Sequence, residues 1–536
     1  MSGMIVAPQP LAVEEGGKIL MSDGNAVDAA VVCAFVQSVV SPHMCGIGGY
    51  ILLTLHIAES SQQDVILDAP ALAGSKVFPS MWEKAFLGPN PDGWGFFLKD
   101  KVNDLGYQSI CVPGAVKGLA AMLERWGTLS WKEVMEPAIR IAQEGFIVDT
   151  FLGEGWRRKA SFPEASSLLD YIEGNAEASR IYLKGGGVSY EIGDRLKNPD
   201  YAATLRNLAK NGAEDFYRGK LAQVMTDDLA DQGSYVTALD LADYRLREPG
   251  PVMGTYRGHR VVTSQAPHGG PTLISILNIL EGWDLVALGH NSPLYIERVA
   301  MAMKAAFSDR NLHLGDPDFM DVPLAWMMSR ERATQWRKTI EKGETIKVNQ
   351  LPPEPTDTTQ VSVVDSLGNC VSLTHSLGAS SGVITPGLGF MYNNSMVNFY
   401  PISGHPNSIA PGKSRTTGMA PTLVYSGDQP MVVIGAPGAT RIITSILQVL
   451  INILDFDMSA SDAVLAPRFD CQGDVIHCQA RIPEYVCAEV QKSHPVERLP
   501  QSHGGIGLVH AIVIDSETGQ LQGGADTGSG GMALLV

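Results

Sequence analysis

Apolar and polar positions alternate most cleanly over 359-TQVSVVDS-366 and 369-NCVSLTHS-376, which predicts two strands of a hairpin joined by a turn through Leu367-Gly368. Immediately before them, 342-KGETIKVNQLPPEPTD-357 is charged, proline-rich and aperiodic, the pattern of an exposed, cleavable linker. Further strands are predicted at 45–57, after a glycine-rich turn, and at 420–426, 431–436 and 508–515. Helical periodicity covers 26–39, capped by Asn25 and stopped by Ser41-Pro42. It returns in 114-GAVKGLAAMLERWG-127, 132-KEVMEPAIRIAQEG-145, 203–212 and 217–233, each ending in or near glycine. A strand, a Pro/Gly turn and a long helix follow over 259–285, with more helix at 293–309 and from about 440 to 454. No internal repeat is evident. Helical and β-rich blocks in this order predict sheets covered by helices, an α+β or layered α/β/α domain.

Composition narrows the function. At 536 residues with 45% hydrophobic and 18% charged side chains, the chain has ample material for a globular core. Its net charge of -17 argues against nucleic acid or an anionic membrane as a general partner, because both need a positive field; a small-molecule or peptide substrate fits better. The longest apolar run, 27-VDAAVVCAFVQSVV-40, is 14 residues and contains Asp28 and Gln37, too short and too polar to cross a bilayer. The seven cysteines are odd in number and lack a C-x-x-C pair, so neither a disulfide framework nor a zinc site is indicated. With no basic segment and apolar stretch at the start, a reducing, cytoplasmic setting is expected. No metal and no cofactor is expected.

Three stretches bear on chemistry. The pattern 378-GASSG-382 matches G-x-S-x-G around Ser380, with 268-HGGP-271 as an oxyanion-like loop and Asp455 and His477 as triad partners. A nucleophile elbow needs a helix after the serine, whereas 382-GVITPGLGF-390 holds β-branched residues, proline and three glycines, so a Gly/Ser loop is the expectation. The glycines of 45-CGIGGY-50 lack a P-loop pattern and precede a strand, which predicts a tight turn. The third stretch is Thr358-Thr359 at the junction of linker and strand. A threonine hydroxyl needs a base beside it, and an N-terminal threonine carries one in its own α-amine, whose pKa near 7.7–8.0 suits general base work. Cleavage of the linker before Thr358 generates that arrangement.

Several segments together resemble the γ-glutamyltransferase (γ-glutamyltranspeptidase) family of N-terminal nucleophile hydrolases. They are 24-GNAVDAAVVCAFVQSVVSPHMCGIGG-49, 112-VPGAVKGL-119, 300-AMAMKAAFSDRNLHLGDPDF-319, 358-TTQVSVVDSLGNCVSLTHSLG-378, 387-GLGFMYNNSMVNF-399, 419-MAPTLV-424, 435-GAPGATRIITSILQVL-450 and 523-GGADTGSGG-531. The resemblance implies one four-layer αββα domain, made as an inactive chain that cuts itself between Asp357 and Thr358. Residues 1–357 become the large-subunit region and 358–536 the small-subunit region, and the fragments stay associated. It also implies Thr358 as the nucleophile, Thr359 as a strand residue and Ser376 as its hydroxyl partner, in place of the family's threonine. The backbone N–H groups of Gly438 and Ala439 would form the oxyanion hole, where the family usually has two glycines, with the following helix adding its N-terminal partial charge.

The substrate pocket departs from the family. The stretch 66-ILDAPALAG-74 lacks the arginine with which the family clamps the α-carboxylate of glutamate. The family's asparagine after the second small-subunit strand is Gly378 here. Its residue in the Asn-Asn-x-Met segment is Ser395, its amino-binding aspartate is Asn398, and its paired serines are Thr417-Gly418. Asn398 does not match the charge-assisted bond an aspartate makes to an ammonium, which favours an acyl group without the α-amine, such as a dicarboxylic acyl group. Lys413 and Arg415 are candidates for a relocated carboxylate clamp. The expected function is therefore an autoprocessing amidohydrolase or acyltransferase that passes an acyl group other than γ-glutamyl to water or an amine. A genuine glutathione-cleaving enzyme with rearranged contacts and an uncleaved binding protein are the alternatives.

Overall fold

The computed structural model describes residues 3–22, 24–58, 64–89, 96–159, 165–348 and 358–536. Two six-stranded antiparallel sheets carry the architecture. In chain order their strands are β1 (Met4–Ala7), β2 (Tyr50–His56), β3 (Asp64–Ala69), β4 (Val252–Tyr256), β5 (His259–Thr263) and β6 (Thr358–Val364). There follow β7 (Cys370–Ser376), β8 (Thr422–Ser426), β9 (Gln429–Gly435), β10 (His510–Ile514), β11 (Leu521–Ala525) and β12 (Met532–Leu535). The first sheet runs β12-β1-β6-β7-β2-β3 and the second β4-β5-β8-β9-β10-β11. The hairpin β6–β7 thus lies at the centre of the first sheet, between β1 and β2, and the chain ends meet beside it: Gly3 and Val536 exchange both backbone hydrogen bonds.

The outer face of the first sheet packs on α1 (Pro10–Met21), α2 (Ala26–Val40), α3 (Ala115–Trp126) and α4 (Trp131–Glu144). Helix α2 is apolar on all sides and nearly every residue is buried, so its ends need internal partners. The Asn25 side chain accepts the N–H groups of Val27 and Asp28, and Asp28 returns the bond to the Asn25 N–H. On the far side, α5 (Gly270–Leu280), α6 (Pro293–His313) and α7 (Arg441–Leu454) cover the second sheet. Met4, Val6, Val262, Val364, Leu423, Val433 and Ile512 fill the space between sheets. The layers are helix, sheet, sheet, helix, an α+β fold as expected.

Strand alternation sets which side chains reach the inter-sheet space. Val361, Val363, Leu373, Ile51 and Leu53 belong to the helix-side core, so Thr358, Gln360, Ser376 and Tyr50 face the opposite sheet. Asp64 ties the sheets together, meeting Arg260 Nη1 at 2.6 Å, the Tyr425 hydroxyl and, at 3.5 Å, His56 Nδ1. Burial alone would raise its carboxyl. The hydrogen bonds from His56, Tyr425 and Arg260, with the Arg260 charge, instead hold it down at about 2.

The predicted helices and strands recur with shifts of a few residues at their ends. Residues 342–348 of the predicted linker carry no regular structure, whereas the expected cleavage bond after Asp357 lies outside the described residues. Among the described residues no helix is long and apolar enough to cross a membrane, and all seven cysteines are buried and unpaired.

Candidate active site

Cross-strand register places Thr358 opposite Ser376 and Ser376 opposite Tyr50, three side chains in one row at the end of the first sheet. Thr358 Oγ1 lies 3.0 Å from Ser376 Oγ, and Ser376 Oγ also accepts the Gly378 N–H at 2.9 Å. That backbone bond fixes the serine rotamer, so the hydroxyl facing Thr358 is held in place. Thr358 is 4% exposed and Ser376 1%. Behind Ser376 the chain passes so closely that a Cβ at Gly49 would fall 2.2 Å from the Ser376 carbonyl oxygen, which is why the turn 45-CGIGGY-50 requires glycine there. Thr359 points the other way, bonded to the side chains of Gln9 and Gln37 in the helix-side core.

The second sheet brings its loop to the same end. Gly435, the last residue of β9, lies over Gln360, and a Cβ there would meet the Gln360 amide at 2.3 Å. Residues 436–440 leave the strand from that point, next to the Thr358 end of β6, and turn into α7. Gly438 has φ 137° and Ala439 φ 59°, both in the left-handed half of backbone space. Only glycine adopts these angles freely, so Ala439 stores about 1–2 kcal/mol of strain. Gly418 backs this loop, where a Cβ would sit 2.1 Å from the Ala439 carbonyl oxygen. The loop therefore precedes the N-terminus of a 14-residue helix, which contributes partial positive charge.

The residues expected to line the pocket are tied together by a hydrogen-bonded scaffold. Asn393 accepts the N–H groups of Cys111 and Ser395 and donates to the carbonyls of Gly48 and Cys111. Asn394 accepts the Ala379 N–H and donates to Asp104, whose carboxyl burial pushes up. Asn407 joins the carbonyl of Asn398 to the N–H of Thr416. Ser395 Oγ is buried without a hydrogen-bond partner among the described residues.

Arg415 is 4% exposed. One terminal nitrogen donates to the Thr416 carbonyl at 2.9 Å, the other to the Tyr50 hydroxyl, and the guanidinium lies 4.9 Å from the Tyr50 ring centre. Among the described residues its Nε is buried without a partner and no carboxylate pairs with it. Burial raises the neighbouring Cys111 thiol to about 12 even against the Arg415 charge. Lys413 differs: its Nζ donates to the carbonyls of Pro406 and Ser408, and burial lowers its pKa. It serves the loop it sits in.

The serine-hydrolase constellation does not assemble. Ser380 has φ 68°, as an elbow would, but its hydroxyl donates to Met391 Sδ and accepts the Gly382 N–H. Asp455 pairs with Tyr256 and Arg257, and His477 pairs with Glu497. The Gly269 N–H of the proposed oxyanion loop is bonded to Met419 O. The neighbouring His268 has a different place, within reach of Thr417 and Asp68. Tyr50, Asp68 and His268 were not expected as site residues. Tyr50 had a legible signal, because strand alternation from Ile51 puts it on the inner face.

The family model for gamma-glutamyltranspeptidase matches residues 12–536. The acylase ACY 1 proenzyme of Pseudomonas sp. (strain V22) is 36% identical over 515 residues, covering 95% of this chain and 89% of that protein. The glutathione hydrolase proenzyme of Escherichia coli (strain K12) is 31% identical over 491 residues, covering 88% and 81%. Among solved structures, a cephalosporin acylase from Bacillus halodurans superposes with a TM-score of 0.85 at 27% identity, covering 99% of this chain and 95% of that one. The sheet-on-sheet fold and a match over nearly the full length agree: the chain belongs to the gamma-glutamyltranspeptidase family of N-terminal nucleophile hydrolases, and is an amide hydrolase or acyltransferase.

Proposed function

We propose that the chain cuts itself between Asp357 and Thr358 and that Thr358 then cleaves a small amide whose acyl group bears a carboxylate but no α-ammonium. The observation that carries the chemistry is the Thr358–Ser376 pair at 3.0 Å, fixed by the Gly378 N–H at the end of the central hairpin. Once the linker is cut, the new α-amine takes the Thr358 proton as Oγ1 attacks the amide carbonyl. Negative charge on the carbonyl oxygen is held by the N–H groups of Gly438 and Ala439. Collapse expels the amine, which leaves with the proton, and water or another amine repeats the attack on the acyl-enzyme. The large and small fragments stay together because their strands alternate within one sheet.

The acyl preference rests on charge. Arg415 is a buried cation lacking an acidic partner among the described residues, and its anchor Tyr50 is two strands from Thr358, about 10 Å across the sheet. A dicarboxylic acyl chain of five carbons spans about 5 Å between its ends, and the bonds at either end bring the reach close to this distance. Asn398 supplies no negative charge for an ammonium. Ser395, Gly378, Thr417 and Gly418 complete the pocket wall. The relatives named acylase and glutathione hydrolase favour different acyl groups, and the γ-glutamyl reading is the second one, supported by the 31% identity to the latter. The seven unpaired cysteines support a reducing, cytoplasmic setting.

The test is mutational and substrate-based. The purified chain should give bands of about 38 and about 19 kDa, the shares of 57.5 kDa carried by 357 and 179 residues. Thr358→Ala should remain one band without activity, and Ser380→Ala should process and turn over. Glutaryl-p-nitroanilide should be preferred over γ-glutamyl-p-nitroanilide. The reverse preference sinks the acyl assignment, and turnover by Thr358→Ala sinks the mechanism.

A further inference from the structure

Between the Thr358–Ser376 pair and the apolar layer of the two sheets lie two polar tiers that the reaction above leaves without a task. On the inner face of the β6–β7 hairpin the cross-strand pairs run Thr358–Ser376, Gln360–Thr374, Ser362–Ser372 and Val364–Cys370, and of these only the last belongs to the apolar core between the sheets. Gln360, Ser362, Ser372 and Thr374 are all 0% exposed. Thr374 Oγ1 donates to Gln360 Oε1 at 2.6 Å, which turns Nε2 toward the serines. Nε2 lies 3.0 Å from Ser372 Oγ, 3.3 Å from Ser362 Oγ and 3.1 Å from the Val361 carbonyl. The serines in turn reach the second sheet: Ser372 Oγ donates to Ile434 O at 2.8 Å and Ser362 Oγ to His510 O at 3.0 Å.

A serine hydroxyl has one proton. Because Nε2 donates to Ser372 Oγ, that proton is left for Ile434 O, so the Gln360 amide sets the direction of the bond between the sheets. The amide also lies flat on Gly435, where a Cβ would fall 2.3 Å from Cδ, Oε1 and Nε2 alike. Ile434 and Gly435 end β9, and the loop with Gly438 and Ala439 departs from them. Apolar contact between sheets is non-directional, whereas a hydroxyl–carbonyl bond has a set length and angle. Gln360 thus touches both halves of the site. It stands two residues from Thr358 on the same strand face, and it supports the strand end that feeds the oxyanion loop.

We propose that Gln360 is a positioning residue that sets the distance between the oxyanion loop and Thr358, through its amide face on Gly435 and through the Ser372–Ile434 bond. This rests on Gly438 and Ala439 holding the oxyanion formed by Thr358. The nucleophile belongs to one sheet and the oxyanion donors to the other, so the spacing of the sheets decides whether the developing charge meets those N–H groups. A misplacement of about 1 Å costs about 100-fold in rate. The carboxylate contact assigned to Arg415 is anchored on Tyr50 and does not pass through Gly435.

Two inhibitors of the processed enzyme separate these effects. Glutarate fills the acyl pocket without forming an oxyanion. In 4-boronobutanoate boron replaces one carboxyl carbon: Thr358 Oγ1 adds to it, a B–O bond forms, the hydroxyl proton passes to the α-amine, and the boron becomes a tetrahedral anion facing the oxyanion loop. Gln360→Glu keeps the shape but sets an acceptor opposite Ser372, and Gly435→Ala drives a methyl into the amide. Each should lower kcat for glutaryl-p-nitroanilide and weaken the boronate about tenfold or more, with glutarate affinity within about twofold of wild type. Gln360→Ala added to Gly435→Ala makes room for the methyl and should tighten the boronate about fivefold or more over Gly435→Ala alone, a coupling that general destabilisation does not give. Ser372→Ala removes one hydroxyl and carries the same readout where the larger changes fail to fold. Boronate affinity within about twofold of wild type, a parallel loss of boronate and glutarate, or a double variant no better than Gly435→Ala overturns the assignment. If none of the variants folds and cuts itself, the tier is structural and the assignment falls as well. Failure of the underlying reading looks different: the wild-type enzyme then binds the boronate no more tightly than glutarate, or Thr358→Ala turns over.

Discussion

Arg415→Met separates a structural role for this side chain from a functional one. The guanidinium is buried and makes two hydrogen bonds, and among the described residues its Nε has no partner and no carboxylate faces it. An unmet buried N–H costs about 1–3 kcal/mol, and an uncompensated charge adds to it. Methionine keeps a long, unbranched shape while removing both. Against this, the change forfeits the contact with the Tyr50 ring, about 0.5–2 kcal/mol, and the bonds to Tyr50 and Thr416. Stability is therefore expected to hold or to rise by about 1–3 kcal/mol, as when buried ion pairs are replaced by apolar groups. Urea denaturation in a Thr358→Ala background, where the chain stays in one piece, measures this. Activity should move the other way. A two-pronged guanidinium–carboxylate contact contributes about 3 kcal/mol, so kcat/KM for glutaryl-p-nitroanilide should fall about 100-fold, while that for the uncharged butyryl analogue is unchanged. The ratio of the two substrates cancels differences in folded fraction. If Arg415→Met is destabilised by more than about 1 kcal/mol and the ratio is intact, Arg415 is a structural cation and the clamp argument fails.

Two further predictions concern stability. Ala439→Gly releases about 1–2 kcal/mol of strain at φ 59° but loosens the unfolded chain by about 0.5–1 kcal/mol, so the folded state should be unchanged or gain up to about 1.5 kcal/mol, with activity retained. Loss of activity together with intact folding would show that the Ala439 methyl itself is needed. Asp64→Asn removes a carboxylate held at about 2 by His56, Tyr425 and Arg260, against about 3.9 in an unfolded chain. Because its pKa is depressed in the fold, the stabilisation is fully present above about pH 4 and disappears as pH falls toward 2. The variant should lose roughly 2 kcal/mol at neutral pH and nothing in acid, a convergence that melting curves at both pH values would check.

The central hairpin was legible because its periodicity begins at once after an aperiodic segment, and Thr358 sits at that boundary. Helix α2 was legible from its Asn25 cap and apolar length. Strands β1 and β12 were not: each is four residues, and β1 is buried on both faces, so no alternation marks it. The proposed nucleophile pair was accessible to sequence because residues 358 and 376 are neighbours in one hairpin. The chain of Asp68, His268 and Thr417 was not, since its members are 149 or more positions apart and meet only through the packing of two sheets. Lys413 and Arg415 look equivalent in sequence. Only the fold distinguishes an ammonium bonded to carbonyls from a guanidinium with no counter-ion among the described residues.

The meeting of Gly3 with Val536 beside the central hairpin has a consequence for engineering. The last strand ends where the first begins, in antiparallel register, so a short turn joining the two would close the chain without disturbing the sheet. A circular permutant could then open at Thr358, made with its amine already free. Maturation and turnover, which share one hydroxyl in the mechanism proposed for Thr358, would become separate experiments.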